Sequence, residues 1–93
     1  MTMDSLNKIF KNAGVWEHDY SIGESHKPLS EVAFCLEEEN GKYHFFVKER
    51  YDILEEKYFV KENDACIYFL KEFTKDNKKL KQYVLDNCKG VLI

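Results

Sequence analysis

An Asn-Gly pair near the middle of the chain constrains the fold more than any other feature. Asn40 and Gly41 separate two runs, 31–39 and 42–50, in which apolar and polar residues alternate. Both central residues of a type I′ turn need a positive φ, which Asn and Gly adopt most readily, so the pair predicts a two-residue hairpin turn. The two runs are then neighbouring antiparallel strands.

The length of this turn fixes the register of the hairpin. A two-residue loop sets Glu39 opposite Lys42, and each step away from the turn adds one more pair. One face then carries Glu38 with Tyr43, Leu36 with Phe45, Phe34 with Val47 and Val32 with Glu49, while the other carries Glu37 with His44, Cys35 with Phe46, Ala33 with Lys48 and Glu31 with Arg50. The first face is largely apolar and suits a core. A slip of one residue would set Glu37 against Phe45, so the register is well specified.

The spacing of apolar residues predicts one helix before the hairpin and two after it. The first covers residues 1–13, with Asp4 or Ser5 as its cap. The second has Asn63 as its best cap residue, although it could begin a residue or two earlier, and the third covers about residues 76–90. Their apolar stripes are Leu6, Ile9, Phe10 and Ala13; Cys66, Phe69, Leu70 and Phe73; and Leu80, Tyr83, Val84 and Cys88.

Two further runs complete the predicted sheet. Residues 15–22 alternate between two faces, and residues 57–61 form another short strand. Residues 51–56 join that strand to the hairpin in no defined conformation, and residues 23–30, which hold Gly and Pro, form a loop. The sequence therefore predicts an α+β fold in a single domain over residues 1–93, with an antiparallel meander of about four strands, one N-terminal helix and two C-terminal helices.

Charge and cysteine content narrow the class of protein. The formal net charge is −3, and all but one of the 14 basic residues are Lys. A single Arg argues against a nucleic-acid reader, because Arg makes the bidentate contacts to guanine and phosphate. Three Cys without CxxC spacing, no apolar leader and no long apolar run indicate a reduced, cytoplasmic protein that does not enter a membrane.

One constellation has the parts of a nucleophilic site. In the predicted register Cys35, Glu37 and His44 share the polar face, which sets a thiol beside an imidazole and a carboxylate that orients it. A flat sheet face offers neither oxyanion donors nor a water-excluding cleft, so we expect no catalysis there and expect Cys35 to pack on Phe46. The His residues lie in different elements without ligand spacing, so no metal and no cofactor are expected.

Acidic residues concentrate in the middle of the chain. Residues 31–64 carry a net charge of −5, and Phe46 is expected on the polar face among carboxylates, as an aromatic anchor for a basic protein partner. In a meander, the acidic group before the turn and the one after the hairpin would lie at opposite ends of the sheet. The expected partner-binding residues are Glu37, Glu39, His44, Phe46, Asp52, Glu55 and Glu56. Alternatively, the N-terminal segment covers Phe46 and the glutamates are ordinary surface charges.

Short aromatic, strand and helix motifs are spread over residues 16–70. They are Trp16 with Tyr20-Ser21-Ile22-Gly23, Cys35-Leu36, Gly41-Lys42-Tyr43, Glu49-Arg50, Phe59 with Glu62, and Ala65-Cys66 with Tyr68-Phe69-Leu70. Together they resemble the small immunity proteins of bacterial polymorphic-toxin systems, which include contact-dependent growth inhibition. The chain departs from the pattern at Tyr51, where Gly is usual after Glu-Arg, and at Lys61, where a Ser or Thr helix cap is usual.

The resemblance implies a compact cytoplasmic protein without enzymatic activity. Such a protein binds and neutralises a cognate bacterial toxin domain, frequently a nuclease, by blocking its active site or substrate surface. A nuclease is basic where it holds nucleic acid, so an acidic face suits it.

The runner-up is a regulatory or adaptor domain that binds a protein or nucleic acid through the C-terminal helices. Residues 65–93 carry a net charge of +3. Their lysines are Lys71, Lys75, Lys78, Lys79, Lys81 and Lys89. Because Asp76 and Asp86 are interleaved with them, a solvated helix face is the simpler interpretation of this charge pattern.

Overall fold

The chain forms a four-stranded sheet whose apolar face packs against the helices. The structure is a computed structural model that describes residues 1–23, 31–50 and 52–87. In chain order the described elements are α1 (Met3–Asn12), β1 (Tyr20–Ile22), β2 (Val32–Glu39), β3 (Lys42–Glu49), β4 (Asp52–Phe59), α2 (Glu62–Thr74) and α3 (Lys78–Asn87). The predicted α+β fold, with one helix before the sheet and two after it, is confirmed.

The central hairpin has the predicted register. All eight pairs between β2 and β3 are those expected from a two-residue turn. Asn40 and Gly41 have φ values of 51° and 81°, in the left-handed region that the turn requires. The backbone amide of Arg50 donates to the carbonyl of Glu31 at 2.9 Å, which continues the ladder beyond the two strands.

The sheet has the order β1-β2-β3-β4, and β2, β3 and β4 form the predicted antiparallel meander. β1 differs, because it pairs parallel to β2, with Tyr20 opposite Phe34. It is also shorter than residues 15–22, since Glu17–Asp19 form a turn of 3₁₀-helix. Side chains alternate with a period of two in both parallel and antiparallel strands, so the sequence pattern does not show which way β1 pairs with β2. Most of the predicted loop over residues 23–30 lies outside the described residues.

β4 begins at Asp52, well before the strand predicted over residues 57–61. Its register with β3 shifts so that Val47 faces Glu55 and Lys48 faces Ile53, which leaves Leu54 as the extra residue of a β-bulge. The bulge interrupts the alternation of side chains, so the sequence pattern does not predict the first part of this strand. Tyr51, which stands in the preceding turn where the resembled family usually has Gly, lies outside the described residues.

Local hydrogen bonds explain where α1 begins. Its cap is Thr2 rather than Asp4 or Ser5, and it forms a capping box. The Thr2 hydroxyl accepts from the amide of Ser5 at 3.1 Å, and the Ser5 hydroxyl accepts from the amide of Thr2 at 2.9 Å. These two bonds satisfy amides that a helix start leaves without partners.

The two C-terminal helices begin close to their predicted positions. Lys61 stands at the N-cap of α2 without a side-chain hydrogen bond, so Asn63 is not the cap. α3 is capped by Asn77, whose side-chain oxygen accepts from the amide of Leu80 at 2.9 Å. The predicted end of this helix, Gly90, lies outside the described residues.

The core lies between the helices and the apolar sheet face, with Phe10 near its centre. The Phe10 ring meets those of Tyr20 and Phe73 edge-on at centroid distances of 4.8 and 4.9 Å, and the Phe69 ring lies 5.5 Å away. Edge-to-face pairs of this kind add to the stabilisation from apolar burial. The largest fully buried side chains are Phe10, Phe45, Phe69, Leu6, Ile22, Leu36, Leu70, Leu80, Val84 and Cys66. None of the described helices is long and apolar enough to cross a membrane.

Candidate protein-interaction face

The sheet face opposite this core, which we call the open face, carries most of the predicted binding residues. It is exposed at Glu56 and Tyr58, whereas Ala33, Cys35 and His44 on it are buried. Side chains alternate between the two faces along each strand, so the residues between the core positions point to the open face. The strand pairing assigns to it Ala33, Cys35 and Glu37 from β2, His44, Phe46 and Lys48 from β3, and Glu56 and Tyr58 from β4.

His44 stands at the centre of an aromatic row on this face. Its ring is parallel to that of Tyr58, with centroids 4.3 Å apart and an interplanar angle of 4°. The ring of Phe46 lies 4.7 Å from His44 on the same strand. His44 is only 7% exposed, whereas Tyr58 is 51% exposed. The row therefore joins a buried imidazole to an accessible aromatic ring.

Two carboxylates flank the imidazole of His44. Its Nδ1 lies 3.6 Å from Oε1 of Glu39, and its Nε2 lies 3.6 Å from Oε1 of Glu56. These distances are too long for hydrogen bonds, and within the described residues neither ring nitrogen has a hydrogen-bond partner. The surroundings of the ring are thus acidic on two sides.

The contact between His44 and Glu56 corrects one expectation. The acidic groups before the turn and after the hairpin were expected at opposite ends of the sheet, and this is wrong for Glu56. Because β4 begins earlier than predicted, Glu56 lies opposite Phe46 and reaches His44. Glu37 is opposite His44 in register, as predicted. Glu37, Glu39, His44, Phe46 and Glu56 are therefore brought together.

The other two predicted residues lie elsewhere. Glu55 points to the helix side of the sheet, where it accepts a hydrogen bond from the hydroxyl of Tyr68 at 2.9 Å. That bond, together with desolvation, raises the pKa of Tyr68 to about 12. Asp52 pairs with Glu49 at the start of β4, away from His44. Glu55 and Asp52 do not contribute to the aromatic row.

Cys35 does not have the properties of a nucleophile. It is 4% exposed, and burial, followed by the charge of Glu37, raises the pKa of its thiol from 9.0 to about 11. A thiol with this pKa is almost entirely protonated at neutral pH, whereas a catalytic cysteine reacts as the thiolate. Among the described residues no group of His, Cys, Asp and Glu is arranged to hold a metal ion.

The sequence interpretation missed the apolar character of β4. Ile53, Leu54, Tyr58 and the adjacent Val60 are 53%, 57%, 51% and 77% exposed. Two of them, Ile53 and Leu54, were placed in the connection over residues 51–56, because the bulge at Leu54 breaks the period-two pattern. The signal that could have indicated an earlier start of this strand is the apolar pair Ile53-Leu54, which follows the hairpin closely among otherwise charged residues.

An acidic groove adjoins the open face near Glu37. It has a volume of about 660 Å³ and lies between α1, the end of β1 and β2. Its lining includes the carboxylates of Asp4, Glu37, Glu38 and Glu62. Glu62 is engaged there, since its Oε2 accepts from the amide of Met3 at 2.9 Å. The groove extends the negative surface beyond the aromatic row.

A basic depression lies at the junction of α2 and α3, with a volume of about 320 Å³. Its lining residues are Lys71, Thr74, Lys75, Lys78 and Lys81. Lys75 donates to the carboxylate of Glu72 at 2.9 Å, which neutralises part of the positive charge. Lys89, the last residue of the predicted Lys-rich set, lies outside the described residues.

A comparison of the chain with protein-family models finds no match, and comparisons with curated proteins and with solved structures find none either.

Proposed function

We propose that this protein is an immunity protein, which binds a cognate bacterial toxin domain in the cytoplasm and neutralises it. The toxin domain is a nuclease, and binding covers its active site or its substrate surface. The observation that carries the proposal is the aromatic row of Phe46, His44 and Tyr58 between the carboxylates of Glu39 and Glu56.

This arrangement has the composition of a protein-binding site for a basic partner. Aromatic side chains in the centre of an interface supply much of its binding energy, and surrounding charges accelerate encounter. The side chains of Glu39 and Glu56 are 45% and 44% exposed, so they remain available to a partner while flanking His44. An Arg or Lys of the partner placed over Tyr58 would gain both a cation–π contact and a carboxylate.

Acidic surface also suits the neutralisation of a nuclease. A nuclease holds the phosphates of its substrate with Lys and Arg, and these residues attract the carboxylates of an inhibitor in the same way. The acidic groove, lined by four carboxylates, continues this surface beside the open face. An inhibitor that occupies the basic residues of a nuclease excludes RNA or DNA from them.

The second candidate is a regulatory or adaptor domain that binds nucleic acid or protein through α2 and α3. It is favoured by one observation, the four lysines that converge on the basic depression. Titration of the protein into labelled RNA and DNA at low salt, followed by native gel electrophoresis, separates the two candidates. The immunity function predicts no shift of either nucleic acid, and a shift that is lost in Lys78→Glu supports the adaptor instead.

The immunity function is tested with the C-terminal domain of any large secreted protein that is encoded directly upstream of this chain, as the candidate toxin domain. Co-expression should restore the growth of cells that the toxin domain alone arrests, and the two proteins should copurify. The double substitution Glu39→Lys with Glu56→Lys should slow association by about tenfold or more, because it reverses two charges that steer encounter. The double substitution Asp76→Lys with Asp86→Lys changes the net charge by the same amount at two exposed positions away from the open face, so it is the matched control and should leave association unchanged.

Two results would contradict the proposal at different levels. If co-expression neither restores growth nor yields a complex, the immunity function is wrong. If the complex forms and the charge reversal at Glu39 and Glu56 associates as fast as the charge reversal at Asp76 and Asp86, the open face is not the surface that meets the toxin domain.

A further inference from the structure

β4 is an exposed edge strand of the sheet in the described part of the chain. It is the last strand in the order β1-β2-β3-β4, and no strand in the described part of the chain pairs with its outer side. Every residue from Asp52 to Tyr58 is exposed. A long exposed edge strand is a template for pairing with another chain, and natural proteins usually shorten or cover such edges.

The hairpin register shows which backbone groups point out of this edge. In a two-residue hairpin the pair next to the turn, Glu39 with Lys42, exchanges both hydrogen bonds, and such pairs then recur at every second position. Counting in steps of two from Glu39 and Lys42 makes Glu31 and Arg50 a hydrogen-bonded pair. The bond of 2.9 Å from the amide of Arg50 to the carbonyl of Glu31 agrees with this.

The same alternation of hydrogen-bonded pairs determines which backbone groups of β4 point to the outer edge. The backbone groups of Phe45 in β3 point away from β2 and bond to its partner in β4, Lys57. In β4 the residues on either side of Lys57 must then direct their N–H and C=O groups to the outer edge. These residues are Glu56 and Tyr58, whose side chains lie on the open face in contact with His44. Edge donors, an aromatic ring and a carboxylate are thus supplied by the same two residues.

We propose that β4 binds an extended segment of the toxin domain as a fifth strand of the sheet. This inference rests on the proposed immunity function and specifies how the partner docks. Main-chain hydrogen bonds to Glu56 and Tyr58 supply affinity, as in other cases of strand addition. On the open face, the Lys or Arg residues of the incoming strand lie beside Glu56 and over the ring of Tyr58, while its apolar residues point to the other face of the sheet.

A second copy of this chain fits the edge less well than a basic strand does. Two identical antiparallel strands are related by a two-fold axis perpendicular to the sheet, so the residue on that axis lies opposite itself. At the centre of β4 that residue is Glu55, Glu56 or Lys57. Like charges directly opposite each other destabilise a strand pair. In the register centred on Glu56 the two Glu55–Lys57 pairs attract each other, but they lie on the other face of the sheet. On the open face a basic strand gains at Glu56, where a second copy would place Glu56 opposite itself.

The docking mode is tested first with peptides and the full ¹⁵N-labelled chain. The probe is a peptide of about ten residues with alternating Lys and Val, the length of a long strand. Hydrogen exchange of the Glu56 and Tyr58 amides should slow by about tenfold or more on binding, while the Lys57 amide, already bonded to β3, should not change. The same peptide N-methylated at every residue should not bind, because it has no backbone N–H to donate to the edge carbonyls of Glu56 and Tyr58.

A charge swap gives the matched control. A peptide of alternating Glu and Val should bind the native chain at least about tenfold more weakly than the Lys peptide, and Glu56→Lys should reverse that preference. Equal binding of the Lys and Glu peptides, binding of the N-methylated peptide, or shift changes centred on Lys71 and Lys75 would each overturn the proposal.

Measurements on the complex with the toxin domain distinguish an error in the docking mode from an error in the immunity function. If the toxin domain is neutralised and the Glu56 and Tyr58 amides exchange as fast as in the free protein, strand addition is wrong and the immunity function stands. If the Lys peptide protects both amides while the toxin domain neither binds nor is neutralised, the edge binds basic strands and the immunity function is wrong.

Discussion

The thiol of Cys35 provides a quantitative test of the open face, because the competing interpretation is a Cys–His nucleophile. Burial raises its pKa from 9.0 to about 11. At neutral pH this difference lowers the thiolate fraction by about 100-fold relative to a free thiol, and alkylation slows because only the thiolate reacts, although the higher nucleophilicity of this thiolate offsets part of the loss. Since Cys35 is also only 4% exposed, the reagent needs a local opening, which slows the reaction further.

The assay is alkylation with iodoacetamide near pH 8, quenched at intervals, followed by tryptic digestion and mass spectrometry. Cleavage after Lys42, Lys61, Lys71 and Lys81 puts Cys35 and Cys66 on different peptides. The chain unfolded in urea is the control. We expect Cys35 to react at least about 100-fold more slowly in the folded protein. Equal or faster labelling in the folded protein would refute the reasoning and restore a thiolate beside His44 as a catalytic candidate.

Three further predictions concern stability. Arg50→Asn should raise the free energy of unfolding by up to about 1 kcal/mol, because Asn tolerates the φ of 51° and the lost ion pair with Glu31 is exposed; a decrease in urea unfolding experiments would contradict this. Gly41→Ala should lower the thermal midpoint through a cost of about 1 kcal/mol, since its φ is 81° and an added Cβ meets nothing within 4 Å; an unchanged midpoint would show that the turn does not need Gly. Stability should fall as pH rises from 9.0 towards about 12, because burial raises the pKa of Cys35 to about 11 and that of Cys66 to about 12, so the unfolded chain loses these protons first. Urea titrations across this range should show a shallower fall in Cys35→Ala, and an identical slope would contradict the assignment.

The central hairpin was predictable because its determinants are local. Asn40 and Gly41 set the turn, and the alternation of apolar residues on either side sets the faces, so every pair between β2 and β3 agrees with the structure. The positions of Glu37, His44 and Phe46 on one face follow directly from that register. A segment whose turn chemistry and side-chain pattern agree specifies its own structure.

The two outer strands were not predictable in the same way. β1 pairs parallel to β2, and its direction depends on contacts distant in sequence rather than on its own period. Residues 52–58 of β4 are all exposed, so this strand lacks the alternation of apolar and polar residues that a half-buried strand shows. The bulge at Leu54 also interrupts the alternation that remains. The contact of Glu56 with His44 depends on the register of β4 and therefore appeared only in the structure.

The most direct test of the central claim is a map of chemical-shift changes on the ¹⁵N-labelled chain when the toxin domain binds. The proposed function and docking mode predict that the largest changes centre on His44, Phe46, Glu56 and Tyr58. Changes centred on Lys71, Lys75, Lys78 and Lys81 in the basic depression, with the open face unaffected, would contradict the account.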